Sequence, residues 1–131
     1  MPIDQTFSTG NTWETRYGYS RAVRTGRLVF CTGTVPMNPD GTPFTPDDAH
    51  AQATRALEII EASLAQLGGS RTDVTRTRFY VTDIDRSDDF GRAHGEFFNG
   101  HHPALTMVEV ARLISPEFLI EIEADAVLPE A

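Results

Sequence analysis

Three acidic side chains recur at every second position of Ile120-Glu121-Ile122-Glu123-Ala124-Asp125-Ala126. Strict alternation reads as a strand with Glu121, Glu123 and Asp125 on one face and the apolar residues on the other. Two readings of that row stay open. It is a solvated outer face, or it is a site, because like charges on one face oppose each other's ionisation and partial burial lifts a carboxylate towards the range a general base needs. A second group lies near the start of the chain. Read as extended from Tyr17 to Arg24, it places Tyr17, Tyr19 and Arg21 on one face. Two phenols and a guanidinium suit a small-anion pocket, or equally an exposed aromatic and cationic stack.

The remaining chemistry is sparse. His101 and His102 are adjacent and point apart on extended chain, and neither His50 nor His94 has a companion four residues on. The expectation is that these histidines do not form a zinc site. Cys31 sits in the apolar run Leu28-Val29-Phe30-Cys31, where a free cysteine reads as a small core hydrophobe. Gly33 follows that run, but no further glycines complete a nucleotide-binding motif. Phe90, Phe97 and Phe98 recur at helical spacing and read as core.

These residues need elements to position them. Ala53, Ala56, Leu57, Ile60, Leu64 and Leu67 form an apolar stripe at three-four spacing. The helix they imply opens at Thr45-Pro46-Asp47-Asp48, with Thr45 as cap, and stops at Gly68-Gly69. A second helix opens at Ser87-Asp88-Asp89, carries Phe90, Ala93, His94, Phe97 and Phe98, and ends at Asn99-Gly100. Strands are expected at about Tyr17–Arg24, Arg27–Gly33, Thr75–Val81, Leu105–Arg112 and Leu119–Leu128, with Thr25-Gly26 as a hairpin turn. A further short strand could precede Tyr17.

The order is then β-β-α-β-α-β-β, an α+β protein whose two helices cover one face of the sheet. Several strands are apolar on both faces: Leu28 and Phe30 against Val29 and Cys31, Leu105 and Met107 against Val108 and Val110. A two-layer chain has no third layer for the second face, so another subunit is expected to cover it, with clefts between subunits.

Composition narrows the class of partner. The chain has 131 residues, and about 100–200 residues per domain is the usual prior, so one domain over 1–131 is expected. One cysteine excludes a disulfide scaffold. No run approaches the roughly 20 apolar residues of a membrane span. Residues 1–10 are polar and lack the pattern of a signal peptide, so a cytoplasmic, soluble protein is expected. Nineteen acidic against eleven basic residues give −8, which works against phosphate backbones and makes nucleic acid a poor partner.

The segments Thr32-Gly33-Thr34-Val35-Pro36-Met37-Asn38-Pro39, Asp89-Phe90, Pro103-Ala104, Val108-Glu109-Val110-Ala111-Arg112-Leu113 and Ile120-Glu121-Ile122-Glu123-Ala124, in this order, resemble the Rid (YjgF-like, reactive intermediate deaminase) family. The likeness spans about residues 17–127. It implies a chorismate-mutase-like fold, a homotrimer with active-site clefts between subunits, and cofactor-free hydrolysis of small enamines and imines to a keto acid and ammonia. It further implies Glu121 as the residue that handles water, Tyr19 as a residue closing the pocket, and Gly33 and Phe90 as pocket residues. His94 stands where the family usually has Asn.

One family feature is missing. The Arg that clamps the substrate carboxylate directly after Pro-Ala is here Leu105, and Met107 replaces a common Cys. Two explanations follow: Arg21 supplies a relocated clamp, or a pocket with Leu105, Met107 and Phe90 takes a less charged ligand. The corresponding functions are an altered Rid-type hydrolase and a non-catalytic module binding a small metabolite.

Overall fold

The computed structural model describes residues 3–130. In chain order the elements are β1 (Gln5–Phe7), α1 (Thr12–Tyr17), β2 (Ala22–Thr25), β3 (Leu28–Thr34), α2 (Ala49–Gln66), β4 (Val74–Val81), α3 (Ser87–Phe98), β5 (Ala104–Glu109) and β6 (Ile120–Val127). The strands form one 6-stranded mixed sheet in the order β1-β2-β3-β6-β4-β5. Only β4 and β5 run parallel; every other pairing is antiparallel.

The helical stripe packs as its spacing requires. Ala53, Ala56, Leu57, Ile60, Leu64 and Leu67 are all buried, with Phe90, Ala93, Phe97 and Phe98 of α3 beside them. They meet a single face of the sheet, built from Val29, Cys31, Phe79, Val81, Ile120, Ile122, Ala124 and Ala126. Cys31 pairs with Ala124 and Phe79 with Ile122, so these residues share that face by register. Among the described residues the opposite face carries no helix: Leu28, Phe30 and Val108 lie exposed at 44%, 43% and 42%.

Two boundaries differ from expectation. α2 starts at Ala49 with Asp48 as its cap, not Thr45. The Asp48 carboxylate accepts from the Ala51 amide at 3.0 Å, while Gln52 Nε2 donates to the Pro46 carbonyl and fixes the lead-in as loop. The stop holds, with Gly68 at φ 89° and the Gly69 amide donating to the Leu64 carbonyl. The hairpin turn falls one residue later, on Gly26-Arg27, because Thr25 pairs with Leu28.

The larger correction concerns residues 17–24. They do not form one strand. The Asn11 side chain caps a helical turn by accepting from the Trp13 amide at 2.7 Å. That turn runs through Tyr17 and is closed by Gly18 at φ 73°. Tyr17, Tyr19 and Arg21 therefore share no strand face: Tyr17 ends α1, Tyr19 lies in the following loop, and Arg21 is buried just before β2. The short additional strand is present as β1.

Candidate active site on the open face of the sheet

β6 turns Glu121, Glu123 and Asp125 to the open face, as the alternation predicted. Their surroundings separate them. Tyr80 Oη donates to Glu123 at 2.5 Å, and Arg78 Nη1 lies 3.1 Å from Asp125 and 4.0 Å from Glu123. Those two acids are matched by a phenol and a guanidinium. Glu121 has neither a hydrogen bond nor an ion pair among the described residues. Burial pushes its carboxyl above the ordinary range; the more distant Arg21 opposes the shift and Glu123 adds to it.

The strand opposite Glu121 is built to receive it. β3 and β6 pair regularly up to Cys31, and the register then slips between Cys31 and Thr34. This bulge brings Gly33 beneath the Glu121 side chain. A Cβ at position 33 would sit 2.3 Å from Glu121 Oε2, closer than any real contact. Glycine leaves the Glu121 carboxylate its place here by proximity rather than by backbone angle, since any Cβ would push it aside. Arg21 supports the same turn, since its Nη2 donates to the Gly33 carbonyl at 2.7 Å.

The other expected site residues divide between two sides of the sheet. Tyr19, 37% exposed, lies on the open side in a depression shared with Phe30, Thr32 and Glu123. Leu105 pairs with Thr77 and Met107 with Phe79, both of which face the helices. They lie at the β5 edge on the helix side, Leu105 exposed and Met107 half-buried. His94 is in the packed layer, its Nε2 2.9 Å from Thr77 Oγ1. Burial pulls its pKa down to about 4, which keeps it neutral near pH 7. Phe90 is fully enclosed in the core and presents no surface to a ligand. Cys31 packs as a core hydrophobe, and burial pushes its thiol up to about 12. Within one chain, then, Gly33, Tyr19 and Glu121 belong to one side, and His94, Leu105 and Met107 to the other.

Two buried polar groups escaped the sequence reading. Glu14 is buried, and its carboxylate accepts from Ser8 Oγ, Thr9 Oγ1 and the Thr9 amide. Those bonds hold its pKa low against the cost of burial. They also tie Ser8 and Thr9 of the β1–α1 loop to α1. Gln52 is fully buried and satisfied at both ends, donating to Pro46 and Glu117 and accepting from the Leu119 amide. The only sequence signal for Glu14 is its place in the first turn after a capping Asn. Gln52 carried none, because it interrupts no pattern. Among the described residues, no group of His, Cys, Asp and Glu is arranged to hold a metal ion.

The family model described as Endoribonuclease L-PSP matches residues 9–128. The chain belongs to this family. It is the YjgF/Rid family that the motif runs resembled, and relatives agree along most of the sequence. A RutC family protein of Pyrococcus abyssi is 33% identical over 108 residues, covering 82% of this chain and 84% of that one. The 2-iminobutanoate/2-iminopropanoate deaminase of Escherichia coli is 32% identical over 128 residues, covering 95% and 98%. Among solved structures, a member of the YjgF/YER057c/UK114 family from Mycobacterium tuberculosis superposes with a TM-score of 0.86 at 44% identity, covering 95% of this chain and 98% of that one. The YjgF product of Escherichia coli gives 0.76 at 34% identity, covering 83% and 87%. The α+β architecture with its mixed sheet is that of the YjgF family.

Proposed function

We propose that this YjgF-family chain is a small-molecule hydrolase of the imine and enamine deaminase type, with a pocket less specific for carboxylates than that of its deaminase relatives. The observation that carries the reading is Glu121. It is the one acid on its strand face left without a partner, it is half-buried with a raised pKa, and it rests against a glycine that leaves it room. Such a carboxylate can take a proton from water near neutral pH. Water then adds to the electrophilic imine carbon, and the nitrogen is protonated. The resulting carbinolamine collapses to a carbonyl compound and ammonia. An imine is already activated, so orientation and one proton shuttle suffice. The deaminase named among the relatives is 32% identical and supports this reaction class.

The working unit in this reading is a homotrimer. Glu121 with Tyr19 and Leu105 with Met107 lie on opposite sides of one sheet, so a pocket using both sets needs two chains. The uncovered apolar face supports the same assembly. Leu105, standing in place of a clamp, favours a ligand with less negative charge at that wall.

The test is ammonia release from a panel of enzymatically generated imines, neutral as well as carboxylated. Wild type is expected to accelerate at least one of them, and Glu121→Gln to lower that rate by about 10²–10⁴-fold, the usual worth of a positioned acid–base group. No acceleration over buffer for any imine would refute it. Leu105 also favours a second reading, a binding module that senses a small metabolite. In that case a ligand would raise the melting temperature without being turned over. RNA is a poor substrate candidate in either reading, since a net charge of −8 works against binding a polyanion.

A further inference from the structure

The proposed chemistry uses the open face of the sheet and leaves one buried charge unexplained. Arg21 is only 9% exposed, and a guanidinium carries five N–H donors. Its side chain makes one hydrogen bond among the described residues, from Nη2 to Gly33, and its Nε is enclosed without a partner. The carboxylates whose fields it meets do not complete it. Glu14 is committed to Ser8 and Thr9, and Glu121 interacts with Arg21 only at a distance. A buried cation with unmet donors costs stability unless an acceptor supplies the missing partner.

Arg21 also forms part of the wall of a cavity of about 410 Å³, bounded by β1, α2 and the loop of residues 35–41. Glu121 is not in that wall. Phe7, Val35, Ile59 and Ala62 give it an apolar lining, and Asn11 and Asn38 add neutral polar groups. The two acids present are engaged elsewhere. Glu58 pairs with Arg55 at 3.6 Å, and Asp40 accepts from the Thr42 amide and hydroxyl. Of the two cations in that wall, Arg55 is paired with Glu58, and Arg21 makes no ion pair, Glu14 and Glu121 acting on it only at a distance.

We propose that this cavity is a second ligand site, distinct from the Glu121 site, for a small carboxylate with a short apolar tail. The carboxylate pairs with the guanidinium of Arg21 through Nη1, which has no hydrogen bond among the described residues and is not enclosed as Nε is, and the tail packs on Ile59 and Ala62. The site communicates with the open face through one residue: Arg21 holds the Gly33 carbonyl, and Gly33 supports Glu121. An occupant therefore biases the position of the carboxylate proposed to act on water.

The experiment is calorimetric titration of the intact protein with butanoate, and with butanamide as its neutral counterpart. Wild type is expected to bind butanoate saturably and butanamide at least about tenfold more weakly, as loss of a charge-assisted pair implies. Arg21→Gln should weaken butanoate by a similar factor. Because Arg21 is buried and that variant can fail to fold, Ala62→Trp provides a second arm: Ala62 is exposed on α2, and an indole there fills the cavity mouth. It should abolish binding, whereas Glu121→Gln should keep it. Absent saturable binding by wild type, equal binding of butanamide, or unchanged binding by Ala62→Trp would each overturn the proposal. Failure of the hydrolase reading is scored separately, by ammonia release.

Discussion

A single methyl group at position 33 tests the site more sharply than removal of the acid. The added Cβ would fall 2.3 Å from Glu121 Oε2, and that oxygen is the movable end of a flexible side chain. Gly33→Ala is therefore expected to fold, with a melting temperature within a few degrees of wild type, while the carboxylate shifts by about an ångström. Displacements of that size cost up to about 10²-fold in rate, which a kinetic assay on the best imine substrate would reveal. His94 offers an independent residue-level test. Burial lowers its pKa from 6.5 to about 4, so the unfolded chain binds a proton between those values that the native chain refuses. Stability should fall as pH drops from 6.5 towards 4, by up to about 3 kcal/mol, and level off below. Urea unfolding across that range, compared with His94→Leu, measures it; a flat difference between the two would remove His94 as the cause. Period-two alternation was enough to place Glu121 on the right face. Its seat on Gly33 was not legible, because a bulge between strands far apart in sequence creates it.

At the scale of elements, the sequence was most readable where many residues repeat one message. The stripe carries five apolar positions in α2 and a sixth, Leu67, at its C-cap, and all six are buried. Its start was misplaced because Thr45-Pro46 and Asp48 both offer helix-opening chemistry, and only the Gln52 bond to Pro46 decides between them. Asp48→Ala should cost about 1 kcal/mol in a denaturation experiment, and Thr45→Ala almost nothing. The reverse ranking would restore the earlier start. The turn of helix at Thr12–Tyr17 was missed for a different reason. It spans 6 residues, too few to show a period, and the alternation of Tyr17, Tyr19 and Arg21 suggested a strand instead. Its stability comes from Glu14 buried against Ser8 and Thr9, a contact no local pattern announces.

At the scale of the molecule, the two-faced apolar strands told the truth about the sheet. Helices cover one side, and Leu28, Phe30 and Val108 remain open on the other. Light scattering is expected to give a trimer. Phe30→Glu, which adds a charge opposite Asp125 in the β3–β6 register, should shift the protein to monomers and abolish any imine hydrolysis with them. A monomeric variant with full activity would separate catalysis from assembly. The strand order has a further consequence, for how the chain is made. β6 lies between β3 and β4, which do not pair with each other, yet it is the last described strand to be synthesised. Until it emerges from the ribosome, the nascent chain holds two separate sheet fragments, each with an unpaired edge. At about 5–20 residues per second that exposure lasts for seconds. The strand that carries Glu121 is thus also the one that joins the halves, and a nascent chain stalled before it would be the species most in need of a chaperone.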